Sequence, residues 1–169
     1  VVNNHKVFIF GGNGGKNYEN LVFKDLWCFD HLTKIWVDIK FNTVNSSLPE
    51  QRSSHTMFYY SDKIYIYVAW NQSSAFNNMI TYDQEKDLWE STNIVQETIY
   101  RWNHCGIEVD AVPSWKYFLF GGSVSGYVDE NAPRVRVKCS NDVWVSDLDD
   151  QVIKEVVLDN QLNKPPPRE

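Results

Sequence analysis

The strongest constraint on the fold is that the sequence repeats itself. Lys6-Val7-Phe8-Ile9-Phe10 is closed by Gly11-Gly12, Asp25-Leu26-Trp27-Cys28-Phe29 is closed by Asp30, and Trp36 stands six residues further on. The order returns as Lys63-Ile64-Tyr65-Ile66-Tyr67, Asn78-Met79-Ile80-Thr81-Tyr82-Asp83 and Trp89. A third pass gives Lys116-Tyr117-Phe118-Leu119-Phe120, Gly121-Gly122 and Asp142-Val143-Trp144-Val145-Ser146-Asp147. Phe10, Tyr67 and Phe120 are 57 and 53 residues apart, and Arg52-Ser53-Ser54-His55 is echoed by Arg101-Trp102-Asn103-His104. A period on the order of 50 residues means that one supersecondary unit recurs, each copy burying its faces against its neighbours. The runs have no helical period, are rich in β-branched and aromatic residues, and end at glycine or aspartate, so they are predicted to be strands.

These elements, in this order, resemble the kelch repeat: a Pro-x-x-Arg-x-x-His lead-in (Pro49, Arg52, His55), an apolar strand closed by Gly-Gly, an aspartate, and a tryptophan six residues on. The resemblance covers nearly all 169 residues. It implies an all-β fold, a kelch-type β-propeller with one four-stranded antiparallel blade per repeat, of which this chain supplies about three. Residues 1–39 read as a blade lacking most of its inner strand, 52–90 as a second, and 101–158 as a third with a long insertion over 123–140. Residues 165–169 open a further repeat, because Pro165 and Arg168 repeat the spacing of Pro49 and Arg52. Propellers have roughly 4–8 blades, and three would leave two apolar flanks bare. The expectation is a sector of a larger propeller, or a homodimer in which two copies complete six blades.

Two departures from the pattern carry expectations of their own. Val68-Ala69-Trp70 stands where Gly-Gly is expected. A valine at positive φ costs roughly 1–2 kcal/mol, so the backbone there is predicted to take another route. In the third repeat Ile153 replaces the tryptophan, and Arg134, Arg136 and Lys138 alternate with Val135 and Val137, the period of an extra strand or an ordered arm. Trp36 and Trp89 are expected to be wedged between blades.

The net charge of −6 argues against a nucleic-acid partner, which would call for a basic stripe. No apolar run reaches the roughly 18 residues of a membrane helix. Cys28, Cys105 and Cys139 show no Cys-x-x-Cys spacing, so a reducing, cytoplasmic location is expected.

In a four-stranded meander the second-to-third connection and the blade-to-blade connection emerge on one face. The long loops at 13–24, 40–51, 68–77, 91–100, 123–141 and 159–167 all belong to that set, which makes this face the expected binding surface. Arg52, Arg101 and Arg168 fall at the start of successive inner strands close to it. Guanidinium groups there suit bidentate capture of carboxylate or phosphate, so a protein or acidic peptide is the expected partner. The other open reading is that each arginine packs within its own blade. Tyr18, Trp70, Phe76 and Tyr127 are loop aromatics of the type enriched at interaction hot spots, and Arg134 and Arg136 would extend the surface.

An enzyme reading finds little in the residues. His5, His31, His55 and His104 lack the short spacing of metal ligands. Asn13-Gly14-Gly15-Lys16 resembles half a phosphate-binding loop but leads into a strand, not a helix. No serine or cysteine sits in a nucleophile motif, and no catalytic residue, metal or cofactor is expected. The expected function is a protein–protein interaction scaffold. The resemblance also implies two alternatives: the regulatory kelch region of a larger enzyme such as a kelch-linked serine/threonine protein phosphatase, or a small-molecule enzyme using the propeller channel.

Overall fold

A computed structural model describes residues 1–14, 21–41, 48–71, 73, 75–93, 100–112, 115–125, 137–147, 152–157 and 165–167. The chain forms two compact units, Val1–Asn93 and Ile94–Glu169.

The first unit holds two four-stranded antiparallel sheets, each with its strands in chain order. β1 (Val2–Asn3), β2 (Lys6–Asn13), β3 (Val22–Asp30) and β4 (Ile35–Ile39) make the first, and β5 (Thr56–Tyr60), β6 (Lys63–Trp70), β7 (Ala75–Asp83) and β8 (Leu88–Asn93) the second. Each is the meander of a propeller blade. The recurring aspartates form the turns: Asp30 Oδ1 accepts the Leu32 and Thr33 N–H groups at 2.9 and 3.1 Å, and Asp83 Oδ1 those of Glu85 and Lys86 at 3.1 Å each. Such side-chain-to-backbone bonds are why aspartate recurs where a strand must reverse. The reversal then sets the register, placing Trp36 opposite Phe29 and Trp89 opposite Tyr82.

The glycine pair sits at a bulge. Pairing of β2 with β3 shifts between Phe10 and Gly12, where Gly11 has φ 56°. A Cβ on Gly11 would lie 2.5 Å from the Arg52 carbonyl oxygen, so only glycine lets the next segment approach. In the second sheet the same shift falls between Tyr67 and Ala69, and Val68 itself takes φ 34°. The expected rerouting does not occur: valine holds the bulge conformation. Its side chain is 1 % exposed, and burying a valine is worth about 1.5–3 kcal/mol, enough to offset the backbone strain.

Period-two alternation puts Phe8, Phe10, Leu26 and Cys28 in a common core with Ile64, Ile66, Ile80, Tyr82 and Trp89 of the second sheet. Trp89 is 1 % exposed, with ring centres of Tyr82, Phe41 and Phe10 at 4.9, 5.2 and 5.6 Å. Trp36 departs from the expected wedge. It is 50 % exposed and packs at a tilt against Phe29, ring centres 4.9 Å apart, on the face of the first sheet turned away from this core.

The second unit contains β9 (Arg101–Trp102), β10 (Cys105–Val112), β11 (Trp115–Phe120), β12 (Ser123–Ser125), β13 (Val137–Cys139), β14 (Val143–Asp147) and β15 (Val152–Glu155). The order β10-β11-β14-β15 gives a third four-stranded antiparallel sheet among the described residues, with Tyr117, Leu119 and Ile153 buried on one face. The insertion does supply an extra strand: β13 pairs with β12, and β12 with β9, in a small three-stranded sheet. Gly122 (φ 90°) is required at that junction, since a Cβ there would stand 2.6 Å from the Trp102 carbonyl oxygen.

Candidate functional site

Each arginine-containing lead-in turns sharply at its third residue, where Ser54 and Asn103 hold φ of 56° and 55°. The turn separates the arginine from the histidine of the motif. Arg52 is 1 % exposed. Its N–H donates to the Phe23 carbonyl at 3.0 Å and its own carbonyl accepts from Gly12 N–H at 2.9 Å, tying the segment to the first sheet. Its guanidinium turns to the second: Nη1 donates to Asn78 Oδ1 at 3.1 Å and the group lies 4.5 Å from the Phe76 ring centre. Nε donates to the Glu50 carbonyl at 3.3 Å. Burial lowers the Arg52 pKa to about 10, so the group stays charged at neutral pH. The next residue, Ser53, exchanges two backbone hydrogen bonds with Trp70, at 2.8 and 3.0 Å.

Arg52, Trp70 and Phe76 therefore meet at the end of the β6–β7 hairpin. Both aromatic residues are partly exposed there. The hairpin strands run on to Trp70 and from Ala75, so most of the segment read as a loop over 68–77 is sheet.

Arg101, 2 % exposed, makes a bidentate pair with Asp142, Nη1 to Oδ1 at 2.8 Å and Nη2 to Oδ2 at 2.6 Å, and Nη1 also donates to the Gly121 carbonyl. Asp142 further accepts from Trp144 Nε1 at 2.7 Å and from Ser140 Oγ. Burial pushes the Asp142 carboxyl up, but the hydrogen bonds from Arg101, Ser140 and Trp144 outweigh it and hold the pKa at about 2. The fork geometry expected for a ligand is thus used inside the blade. An incoming anion would have to displace Asp142 to reach Arg101, or part Arg52 from Asn78 and Phe76.

The partners Asn78 and Asp142 were not singled out from the sequence, although the signal was there. Asp25, Asn78 and Asp142 stand at the same position of successive repeats, each five residues before Asp30, Asp83 or Asp147, a recurring polar acceptor matched to a recurring arginine. Arg168, Tyr18, Tyr127, Arg134 and Arg136 lie outside the described residues. Among the described residues no three His, Cys, Asp or Glu side chains are grouped to hold a metal, and no helix is long and apolar enough to cross a membrane.

His55 packs edge-on against Phe10 at 5.6 Å, and its buried Nδ1 has no hydrogen-bond partner. Burial, reinforced by the nearby Arg52 charge, lowers its pKa to about 4. Acid should therefore weaken the fold in two stages. The unfolded chain takes up the His55 proton near pH 6.5, whereas the folded chain resists it down to about 4, so stability falls across that window. Asp142, depressed from 3.8 to about 2, stabilises above its unfolded pKa, and that contribution is lost as pH drops through the folded value. Urea midpoints measured from pH 7 to 2 should show both declines, and His55→Gln should flatten only the first.

The family model described as the KLHDC2/KLHL20/DRC7 Kelch-repeats domain matches residues 1–169. The chain is a kelch-repeat protein, built of kelch-type propeller blades. Among its relatives, Kelch domain-containing protein 10 of Rattus norvegicus is 30 % identical over 89 residues, which cover 52 % of this chain and 21 % of that protein. The Homo sapiens protein of the same name is 30 % identical over 89 residues, 52 % of this chain and 19 % of the relative. The matched segment thus spans about a fifth of these relatives' length. Kelch-repeat domains generally mediate protein interactions.

Proposed function

We propose that this chain is a protein-interaction scaffold whose binding edge is the end of the β6–β7 hairpin, around Trp70 and Phe76. The observation that carries this reading is the division of labour at that edge. Arg52 is consumed by Asn78, Glu50 and the face of Phe76, which fixes the hairpin end, while Trp70 and Phe76 keep exposed surface. Rigidly held aromatics with apolar bodies are the side chains that dominate interface energetics. The partner in this reading is a protein surface that buries an aromatic anchor. Capture of partners from a cell extract, quantified by mass spectrometry, tests it. Trp70→Ala should reduce the specific partner at least about tenfold, in line with loss of a hot spot, while the folded control Leu32→Ala, on an exposed turn, should leave it unchanged. Equal capture by wild type and Trp70→Ala would overturn the assignment.

A further inference from the structure

The outer strands β4, β8 and β15 hold the same place in their repeats, yet the edge of β4 differs from the other two. Val37 of β4 pairs with Cys28, Glu90 of β8 with Thr81, and Lys154 of β15 with Val145. Each of those partners lies two residues before the aspartate that ends its strand. The second and third repeats thus carry an exposed charge where the first carries valine. An edge offers a row of backbone N–H and C=O groups to another strand, and a charge there is the common guard against pairing. The only charge within β4, Asp38, is taken up by Lys40. The rest of the strand is β-branched or aromatic, the composition that fits a pleated surface, and among the described residues β4 pairs with β3 alone.

The exposed side chains lie on a face that already has its neighbour. Ile35, Val37 and Ile39 alternate onto the side of Leu26 and Cys28, which share a core with the second sheet. Ile39 packs against that core, whereas Ile35 and Val37 run past it and stay 57 % and 51 % exposed. Trp36 lies on the opposite face and is not needed for the contact. Lys34, exposed at the start of the strand, is in no ion pair among the described residues.

We infer that β4 is a strand-addition edge for an extended segment of a partner protein, apolar at alternate positions and acidic at the end beside Lys34. The added strand runs antiparallel, the more stable pairing, so its acid is C-terminal. Its backbone bonds to the open edge and its alternate side chains cover Ile35 and Val37. Main-chain bonds give affinity in this mode, and side chains give specificity. The contact is on a different sheet from Trp70 and Phe76 and does not depend on them.

The acetylated, amidated peptide Ser-Val-Thr-Val-Thr-Val-Glu, labelled and added to the whole chain, tests this by fluorescence anisotropy. It should bind saturably and slow hydrogen exchange in β4. Val37→Glu, which installs the residue the second repeat carries at that place, should weaken binding at least about tenfold by setting an acid against an acidic, apolar strand. Methylating the backbone nitrogens of the peptide's valines removes ladder donors but keeps the side chains, and should abolish binding. Lys34→Glu should weaken it about threefold, the scale of an exposed ion pair, and a peptide ending in lysine should restore it. Should Val37→Glu fail to fold by circular dichroism, the methylated peptide on the wild-type chain decides. Absent binding, equal binding to Val37→Glu, retained binding of the methylated peptide, or indifference to Lys34→Glu would each overturn the inference. So would light scattering that finds a dimer in the wild type and a monomer in Val37→Glu, since a second copy would then hold the edge.

Discussion

Replacing Trp89 with alanine is expected to lower the stability of the chain by about 3–5 kcal/mol, the cost of emptying a large, fully enclosed aromatic site. The indole touches both sheets of the first unit, through Phe10 on one side and Tyr82 on the other, so the cavity would open in the seam between them and neither sheet could collapse into it alone. Against a typical total of ~5–15 kcal/mol, that loss removes a large part of the fold's margin. Trp36→Ala, at the corresponding position of the first repeat, should cost no more than about 1 kcal/mol, since half of its surface already faces water. Urea titrations of the two variants followed by circular dichroism check the contrast. Similar losses for both would mean that the two tryptophans share one environment.

The second large effect is expected at Asp142. Its replacement by alanine leaves the Arg101 guanidinium buried with its bidentate partner gone, a change that costs about 3–5 kcal/mol because the uncompensated charge, more than the lost attraction, sets the penalty. Ser140 and Trp144 would also lose their acceptor. Asp38→Ala, which removes the partner of the exposed Lys40, should change stability by less than about 1 kcal/mol. Thermal melts at low and high salt separate the cases, the buried pair being far less screened than the surface one.

The sequence made the blades legible because their determinants are local and recur. Asp30 and Asp83 cap turns whatever surrounds them, and the six-residue step to the tryptophan follows from a tight reversal. What a residue faces is not local. Trp36 and Trp89 occupy the same repeat position, yet one is exposed and the other enclosed, because only the second sheet has another described sheet against that face in its unit. Val68 was misread for a related reason: the intrinsic cost of its φ is visible in the residue type, whereas the burial that offsets it is a property of the packed blade. The arginines posed the hardest choice. Guanidinium groups near a loop face suit an acidic ligand and an internal acid equally well, and the deciding partner, Asp142, lies 41 residues from Arg101. The candidate edge was half legible, since Trp70 and Phe76 stand out as aromatics at a broken glycine motif. Their meeting with Arg52 depends on the Ser53–Trp70 bridge.

The central structural claim is that the lead-in arginines are internal ties which hold each repeat to its own third strand. A double-mutant cycle with Arg101→Met, Asp142→Leu and the pair together, read by urea unfolding, tests it most directly. Each single change should be strongly destabilising and the double far less so than their sum, with a coupling of about 2–3 kcal/mol. Singles that add within about 0.5 kcal/mol would contradict it and return Arg101 to the surface as a group free to meet a ligand.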